Sequence, residues 1–407
     1  MSAKTKPAAR ASRTLSKRTE ASRTHSLKTH SLKTHSLKTV GDAKRRQSAF
    51  SLIELLIAMA LGLILIAGMI TVLDGNRRSS LLNSTMANLQ ESARFALDAI
   101  ARNARMSGFQ GCSDINNSRL NVVAKNLPAS FDFASQATVG SLVSSDAWNP
   151  VHPLGFTPPT DIPVVAGTHA LVLQFGDGNF ARLDSQMSDA GVPSKIGPVV
   201  VSGQTSLQAN DLVIIADCDV ADIFRVTEAT YNDGTTTLSH AASGNNGNLS
   251  KAFGAPASIA QTTVSAFQSN TYYIGDAGLT NDKGDPIRAL YLQTLPYTSA
   301  NPPVELIRGV DNMRVAFGVR SGDTLRYVTP DNSAFDASLV ESVQIGLLMS
   351  SRERILDQND TKTYVLAAQS IGPQEGSDNG TQHPGDRRLR LAFNTTIKVR
   401  NRRALMQ

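Results

Sequence analysis

Arg45-Arg46-Gln47-Ser48-Ala49-Phe50-Ser51-Leu52-Ile53-Glu54-Leu55-Leu56 opens an apolar run that continues to Leu73. The 24 residues from 50 to 73 contain no Lys, Arg or Pro, and a helix of about 20 apolar residues crosses the hydrocarbon core of a bilayer. Glu54 is the exception in the run. An ionised carboxylate inside a membrane helix costs roughly 2.5 to 3.5 kcal/mol on insertion scales, so a chain that keeps one there has a partner for it. A secretory signal fits poorly, because its apolar region is only about 7 to 15 residues and ends in a small-residue cleavage site, whereas this run leads into Asp74-Gly75-Asn76-Arg77. A plain anchor explains the length and leaves Glu54 without a purpose. A helix that later leaves the bilayer to pack against copies of itself supplies one. In low dielectric an unpaired carboxylate and an unpaired ammonium are each costly, and pairing them between subunits offsets both and sets axial register.

Charge divides the chain at the same place. The 407 residues carry a formal +6, but residues 1–49 hold 13 Lys and Arg against Glu20 and Asp42, a net +11, which leaves −5 for residues 50–407. The basic segment is low in complexity: Thr24-His25-Ser26-Leu27-Lys28 recurs from Thr29 and again from Thr34, a period that suits neither helix nor strand, and it is expected to be disordered. With the basic excess confined there, the remainder gives no argument for nucleic-acid binding. Basic residues beside a first apolar helix stay cytoplasmic, so residues beyond Leu73 are expected in the periplasm. Cys112 and Cys218 are the two cysteines, and an even pair in an exported domain is most simply a disulfide, closing a loop of about 105 residues. Two unpaired buried thiols are the alternative, and metal binding by two cysteines without nearby His is a weaker one.

The helix is expected to continue beyond the membrane, with Leu81, Leu82, Thr85, Leu89, Ala93, Ala96, Leu97 and Ile100 on one face and Asn83, Asn88, Gln90, Arg94, Asp98 and Arg102 on the other. Gly108 is the expected stop. The predicted organisation is a leader (1–49), a transmembrane helix (50–73), its amphipathic continuation (74–107) and a β-rich domain (108–407). Short β-branched runs at 170–175, 199–201, 212–215 and 223–226 read as strands. The polar residues 239–251 read as an exposed loop. Residues 313–319 and 324–328 alternate about Ser321-Gly322-Asp323 as a hairpin, and 339–349 and 388–399 read as long strands. A 41% hydrophobic content with 5% aromatics predicts a core built mainly from aliphatic side chains. The fold class is α+β: a long N-terminal helix packed on a mainly antiparallel sheet.

The stretch Ala49-Phe50-Ser51-Leu52-Ile53-Glu54, preceded by basic residues, resembles the leader of type IV prepilins and pseudopilins, with Ala49 where that family most often has Gly. The resemblance implies cleavage between Ala49 and Phe50 by prepilin peptidase, methylation of the Phe50 amine, and a Glu54 that faces the amine of a neighbouring subunit. A leader of 49 residues is long for the family, and one expectation is that translation starts near Val40. Blocks at 309–315, 340–349, 387–391 and 393–402 are similar to the minor pilin family PilW, as are the surroundings of Cys112 (108–112) and Cys218. What this implies is a pilin-like fold and a non-enzymatic subunit, single-pass in the inner membrane before it joins the pilus tip. There it would act with other minor pilins, the major pilin and a large tip adhesin to start assembly, without a cofactor.

A minor pseudopilin of a type II secretion system shares the leader, the helix and the β-rich domain, and is the nearest rival. A membrane-anchored periplasmic enzyme or sensor is a third class. Of the seven histidines, only His152, His169, His240 and His383 lie beyond the helix, and none stands in a metal-ligand spacing or beside a nucleophile motif. Asn281-Asp282-Lys283-Gly284-Asp285 and Asp357-Gln358-Asn359-Asp360 resemble calcium loops loosely, lack the terminal Glu, and are better explained as turns.

Overall fold

The computed structural model describes residues 51–112, 119–129, 131–144, 147–240, 244, 246–373 and 382–401. Ala49, Phe50 and the rest of the leader lie outside them. The chain divides into two units at Met69 and Ile70.

A single α-helix, α1 (Leu52–Met106), runs 55 residues. Its large apolar residues up to Leu73 are all exposed, from Leu52 at 77% to Leu73 at 48%, and the segment is long and apolar enough to cross a membrane. Farther on, Leu89, Ala93, Ala96, Ile100, Ala101 and Ala104 are buried, at the three- and four-residue spacing of one helical face. Asn83, Asn88, Gln90, Arg94, Asp98 and Arg102 are exposed. The apolar face starts later than its periodicity suggests: Leu81 is 52% exposed, because the domain core reaches the helix only from Leu89. The small Ala93, Ala96, Ala101 and Ala104 let the sheets approach the helix closely.

The largest sheet has ten strands. Its main path runs β1 (Arg119–Val122), β5 (Val220–Arg225), β4 (Leu212–Ala216), β6 (Thr263–Thr280), β3 (His169–Gly176) and β2 (Thr138–Val143), ending on Trp148–Asn149. β7 (Pro286–Gln293) pairs with β6 and with β8 (Val304–Arg308). All these pairings are antiparallel except β1 with β5. A four-stranded antiparallel sheet follows in the order β10 (Thr324–Val328), β9 (Val310–Ser321), β11 (Val340–Arg354), β12 (Arg388–Lys398). Alternation along β9 explains its place: Met313, Val315, Phe317 and Val319 point to the core that α1 shares with β3, β6 and β11. The opposite face of this sheet is covered at Gly346 by the Tyr364–Leu366 strand, where a Cβ would stand 2.6 Å from that of Leu366.

A second core gathers Leu183, Met187, Val199, Val201, Phe224, Leu238 and Phe253, outside α1. Of residues 239–251, expected as an exposed loop, the described Asn246, Leu249 and Ser250 are tied into it. Asn246 is buried, accepting from Arg225 N–H at 2.7 Å and donating to the Arg225 carbonyl at 2.7 Å. Ser250 gives its N–H and hydroxyl to Asp222 at 2.6 and 2.8 Å, and Leu249 is 1% exposed. The polar side chains satisfy backbone groups, so a polar stretch becomes a packed strap.

Candidate assembly interface

Glu54 lies in the first turn of α1. It is exposed and, among the described residues, has no ion-pair partner. An ionised acid in an apolar segment is costly without a partner. Its sequence-expected counterpart, the Phe50 amine, lies outside the described residues, as does Ala49.

The other end of α1 is held by three sets of contacts. Gly108 takes φ +79°, the left-handed conformation that ends helices with least strain on glycine, and its N–H donates to the Gln174 carbonyl at 2.9 Å. The Ser107 hydroxyl donates to the Ala137 carbonyl at 2.6 Å. From the far end of the chain, the Asn401 amide reaches the carbonyls of Arg105, Met106 and Ser107 at 3.3, 3.0 and 3.2 Å, adding to the Phe109 N–H that Met106 accepts at 2.8 Å and helping to satisfy the end of the helix. One turn earlier Asn103 donates to the Tyr272 hydroxyl at 2.6 Å.

Cys112 and Cys218 are joined in a disulfide with Cα atoms 5.1 Å apart. Asp217 shapes the turn that carries Cys218: its carboxylate accepts the N–H groups of Asp219 and Val220 at 3.2 and 3.0 Å and pairs with Lys251 at 2.5 Å. Burial alone would raise the Asp217 carboxyl, but the Lys251 and backbone hydrogen bonds hold it below its ordinary value.

Under the four-stranded sheet lies a charged network that the sequence reading passed over. Arg390 pairs with Asp311 at 2.7 Å, with Asp386 at 2.7 Å and with Asp360 at 3.4 Å. Arg388 pairs with Asp386 at 2.8 Å and stands 3.6 Å from Asp311. Ser350 donates to Asp311 at 2.8 Å and the Tyr364 hydroxyl to Asp360 at 2.9 Å. Asp311, Arg388 and Arg390 are all at most 2% exposed. Burial pushes the Asp311 carboxyl up, yet Arg388, Arg390 and Arg288 outweigh it and hold it below the carboxylate range. Burial likewise lowers Arg390, and Asp311 and Asp386 raise it by more. The network joins β9, β11, β12 and the loop after β11. The available signal was Arg388 and Arg390 two apart in an apolar strand, which places both on one face.

The four histidines beyond the helix are spent on structure. His152 accepts the N–H groups of Leu154 and Phe156 at 3.1 and 3.2 Å and shares a 2.8 Å bond with Thr271. His169 lies between Arg314 and the backbone of Val315, each at 3.1 Å. Burial lowers both imidazoles to about 3, with Arg314 adding to the effect on His169. His240 and His383 reach the carbonyls of Gly197 and Lys362 at 2.8 Å, and burial lowers both.

Of the two calcium-like stretches, the first is a turn and the second gives its acids to arginines, Asp357 to Arg78 and Asp360 to Arg390. Asn281 Oδ1 accepts the N–H groups of Lys283 and Asp285 at 3.0 and 2.9 Å, and Arg354 occupies the Asp285 carboxylate, holding it down at about 2. Among the described residues no group of three His, Cys, Asp or Glu is placed to hold a metal ion.

Residues 44–70 match the family model for the prokaryotic N-terminal methylation motif, and residues 271–401 match that for type IV pilus-assembly protein W. The second match covers the ionic network and Asn401 and ends where α1 is capped. None of the curated proteins matches the chain. Among solved structures, a type IV-like pilin from Thermus thermophilus aligns at 17% identity over 33% of this chain and 78% of its own, with a TM-score of 0.18, a likeness too slight to carry an argument. The motif and the apolar helix mark a membrane-anchored chain with a soluble C-terminal domain, and the PilW match points to a structural pilin rather than an enzyme. The prepilin-type motif at one end and the PilW match at the other support a type IV pilin-like protein of PilW type.

Proposed function

We propose that the chain is a minor pilin that helps start type IV pilus assembly within a minor-pilin complex at the pilus tip. Prepilin peptidase cuts between Ala49 and Phe50 and methylates the new amine. The periplasmic domain then waits on its membrane helix until α1 is drawn into contact with other minor pilins and the major pilin, with a large tip adhesin as a further partner. The observation that carries this reading is the exposed, acid-bearing first part of α1 on a helix whose second part is fixed in a folded domain. Burying that surface against equivalent helices removes its apolar area from lipid contact, and Glu54 gains the neighbouring amine of Phe50. The PilW region favours the pilus over a secretion system as the setting.

Substitution of Glu54 by Ala tests the reading. Membrane insertion is retained or improved, because an acid leaves the helix, while pilus number falls. Unchanged pilus number with normal insertion contradicts the proposal.

A further inference from the structure

Residues 150–163 leave the largest sheet and return to it. They follow Trp148–Asn149, paired with β2 at its edge. Beyond them the Val165 N–H donates to the Ile274 carbonyl on β6 at 2.9 Å, and the Asp276 N–H to the Pro163 carbonyl at 2.9 Å. Five of the chain's 17 prolines fall in these 14 residues: Pro150, Pro153, Pro158, Pro159 and Pro163. Proline fixes φ and has no N–H to give a ladder, so the segment adds no strand and stands off the sheet as a stiff wall. With Ser144, Ala147 and Trp148 it borders a cavity of about 680 Å³, within the roughly 300 to 1,000 Å³ of pockets that hold small ligands.

The cavity is aromatic inside and exposed at its rim. His152 and Phe156 are buried, and Trp148, the chain's single tryptophan, is half-buried against them, edge to face, with ring centroids 5.6 and 5.8 Å away. Tyr297 packs on the same two rings at 5.5 and 5.1 Å. Neither His152 nitrogen is left for a ligand, because Nδ1 accepts the Leu154 and Phe156 N–H groups and Nε2 is held by Thr271. Val151, Thr157 and Ala166 are exposed, so the cavity is a groove open to solvent. Among the described residues that line it, none is Asp, Glu, Lys, Arg, Asn or Gln. Its hydroxyls are those of Ser144, Thr157 and Thr160, and Ser144 is already bonded to both backbone groups of Ala147.

Such a lining disfavours an ionic ligand, which would lose hydration without meeting a counter-charge. It also lacks the planar polar side chains that the many hydroxyls of a glycan need once desolvated. It suits an uncharged chain with apolar side groups whose backbone carbonyls stay wet. A polyproline II segment is such a chain: it has no internal hydrogen bonds, its backbone is solvated, and it has little conformational freedom left to lose on binding. Trp148 supplies an apolar ring for a proline and an indole N–H donor for a carbonyl. We propose that the groove of Trp148 and Phe156 binds an uncharged, proline-bearing extended segment of a partner protein. The groove lies within the folded domain, so the inference stands apart from the assembly role of α1.

A single tryptophan makes the test direct, because all tryptophan emission comes from this groove. The full chain is placed in phosphatidylcholine vesicles and titrated with a capped peptide of repeated Ala-Pro-Pro, which does not itself fluoresce. A saturable shift of Trp148 emission is expected. Thr157→Arg, which sets a charge on the exposed rim, weakens the binding by about tenfold and leaves the melting midpoint unchanged. Ala166→Arg, at a second exposed rim position, gives the same loss and decides the matter if Thr157→Arg lowers the melt. A capped peptide of repeated Glu-Pro-Pro binds more weakly than the uncharged one. Emission that does not respond to Ala-Pro-Pro, or a response that both variants retain in full, overturns the inference. A response to cellopentaose with none to the peptide overturns it in favour of a glycan.

Discussion

The two parts of α1 differ in their apolar residues, large and branched in the first and mainly Ala on the buried face of the second, and have opposite surroundings. From Leu52 to Leu73 large side chains such as Leu61, Ile64 and Met69 are 57 to 68% exposed, whereas Leu89 and Ile100 are at most 7% exposed. The second part has its partner within the chain, in the core formed with β3, β6, β9 and β11. The first is apolar all round, the pattern of a helix surrounded by lipid or by other helices. One helix therefore serves two solvents, and the transition falls in the polar stretch from Asp74 to Asn83, where Arg78 ties the helix to the loop at Asp357. Folding stability and assembly are thereby separable: a substitution in one part is read by the folded domain, in the other by the membrane and the filament.

Paired substitutions break that comparison most sharply. Ile100→Asp buries an unpaired charge and is expected to cost about 5 kcal/mol of domain stability, measured by thermal melting of the detergent-solubilised chain. Ile64→Asp leaves that melt unchanged and weakens membrane insertion by about 3 kcal/mol. Equal effects on the melt from both would mean that the first part is also packed in the monomer.

The charged network sharpens the comparison within the domain. Asp311→Ala leaves Arg388 and Arg390 short of a buried counter-charge, and about 3 to 5 kcal/mol of stability is lost. The effect appears in a denaturation midpoint and not in the membrane fraction.

The smallest effect per group is set by pH. His152 and His169 lie near 3 in the folded domain against 6.5 for the free side chain, so below 6.5 the unfolded chain binds more protons than the folded one. Stability is complete above about pH 6.5 and drains as pH falls toward 3, by about 2 kcal/mol for each imidazole at pH 5. Melting temperatures of the domain measured between pH 7 and 5 follow this slope, and replacing His152 by Gln flattens it. A flat profile in the unsubstituted chain would show that the imidazoles are protonated in place.

Much of the framework was legible because it depends on local pattern. The continuous apolar run and the later three- and four-residue spacing marked α1, and Gly108 marked its end, since only the residue's own conformation is needed to stop a helix. Alternation about Ser321-Gly322-Asp323 marked the β9–β10 hairpin, which pairs Ser321 with Thr324. The rest depends on partners far away in sequence. Asn246 and Ser250 read as loop residues until Arg225 and Asp222 are beside them. Arg388 and Arg390 read only as part of a long strand until Asp311 arrives from β9, 79 residues from Arg390. The cap on α1 comes from Asn401, 295 residues beyond Met106. Local periodicity names no partner for any of these, although it sets Arg388 and Arg390 on one face, and the Phe50 amine proposed for Glu54 lies outside the described residues.

The central claim is that the stretch at Ala49 and Phe50 is a processing site that frees an amine for Glu54. Mass spectrometry of the mature protein from cells with an active prepilin peptidase tests it most directly. The account predicts an N-terminal peptide that begins at Phe50 and carries one added methyl group. A mature chain that retains residues before Phe50, or that begins at Phe50 unmethylated, would contradict it.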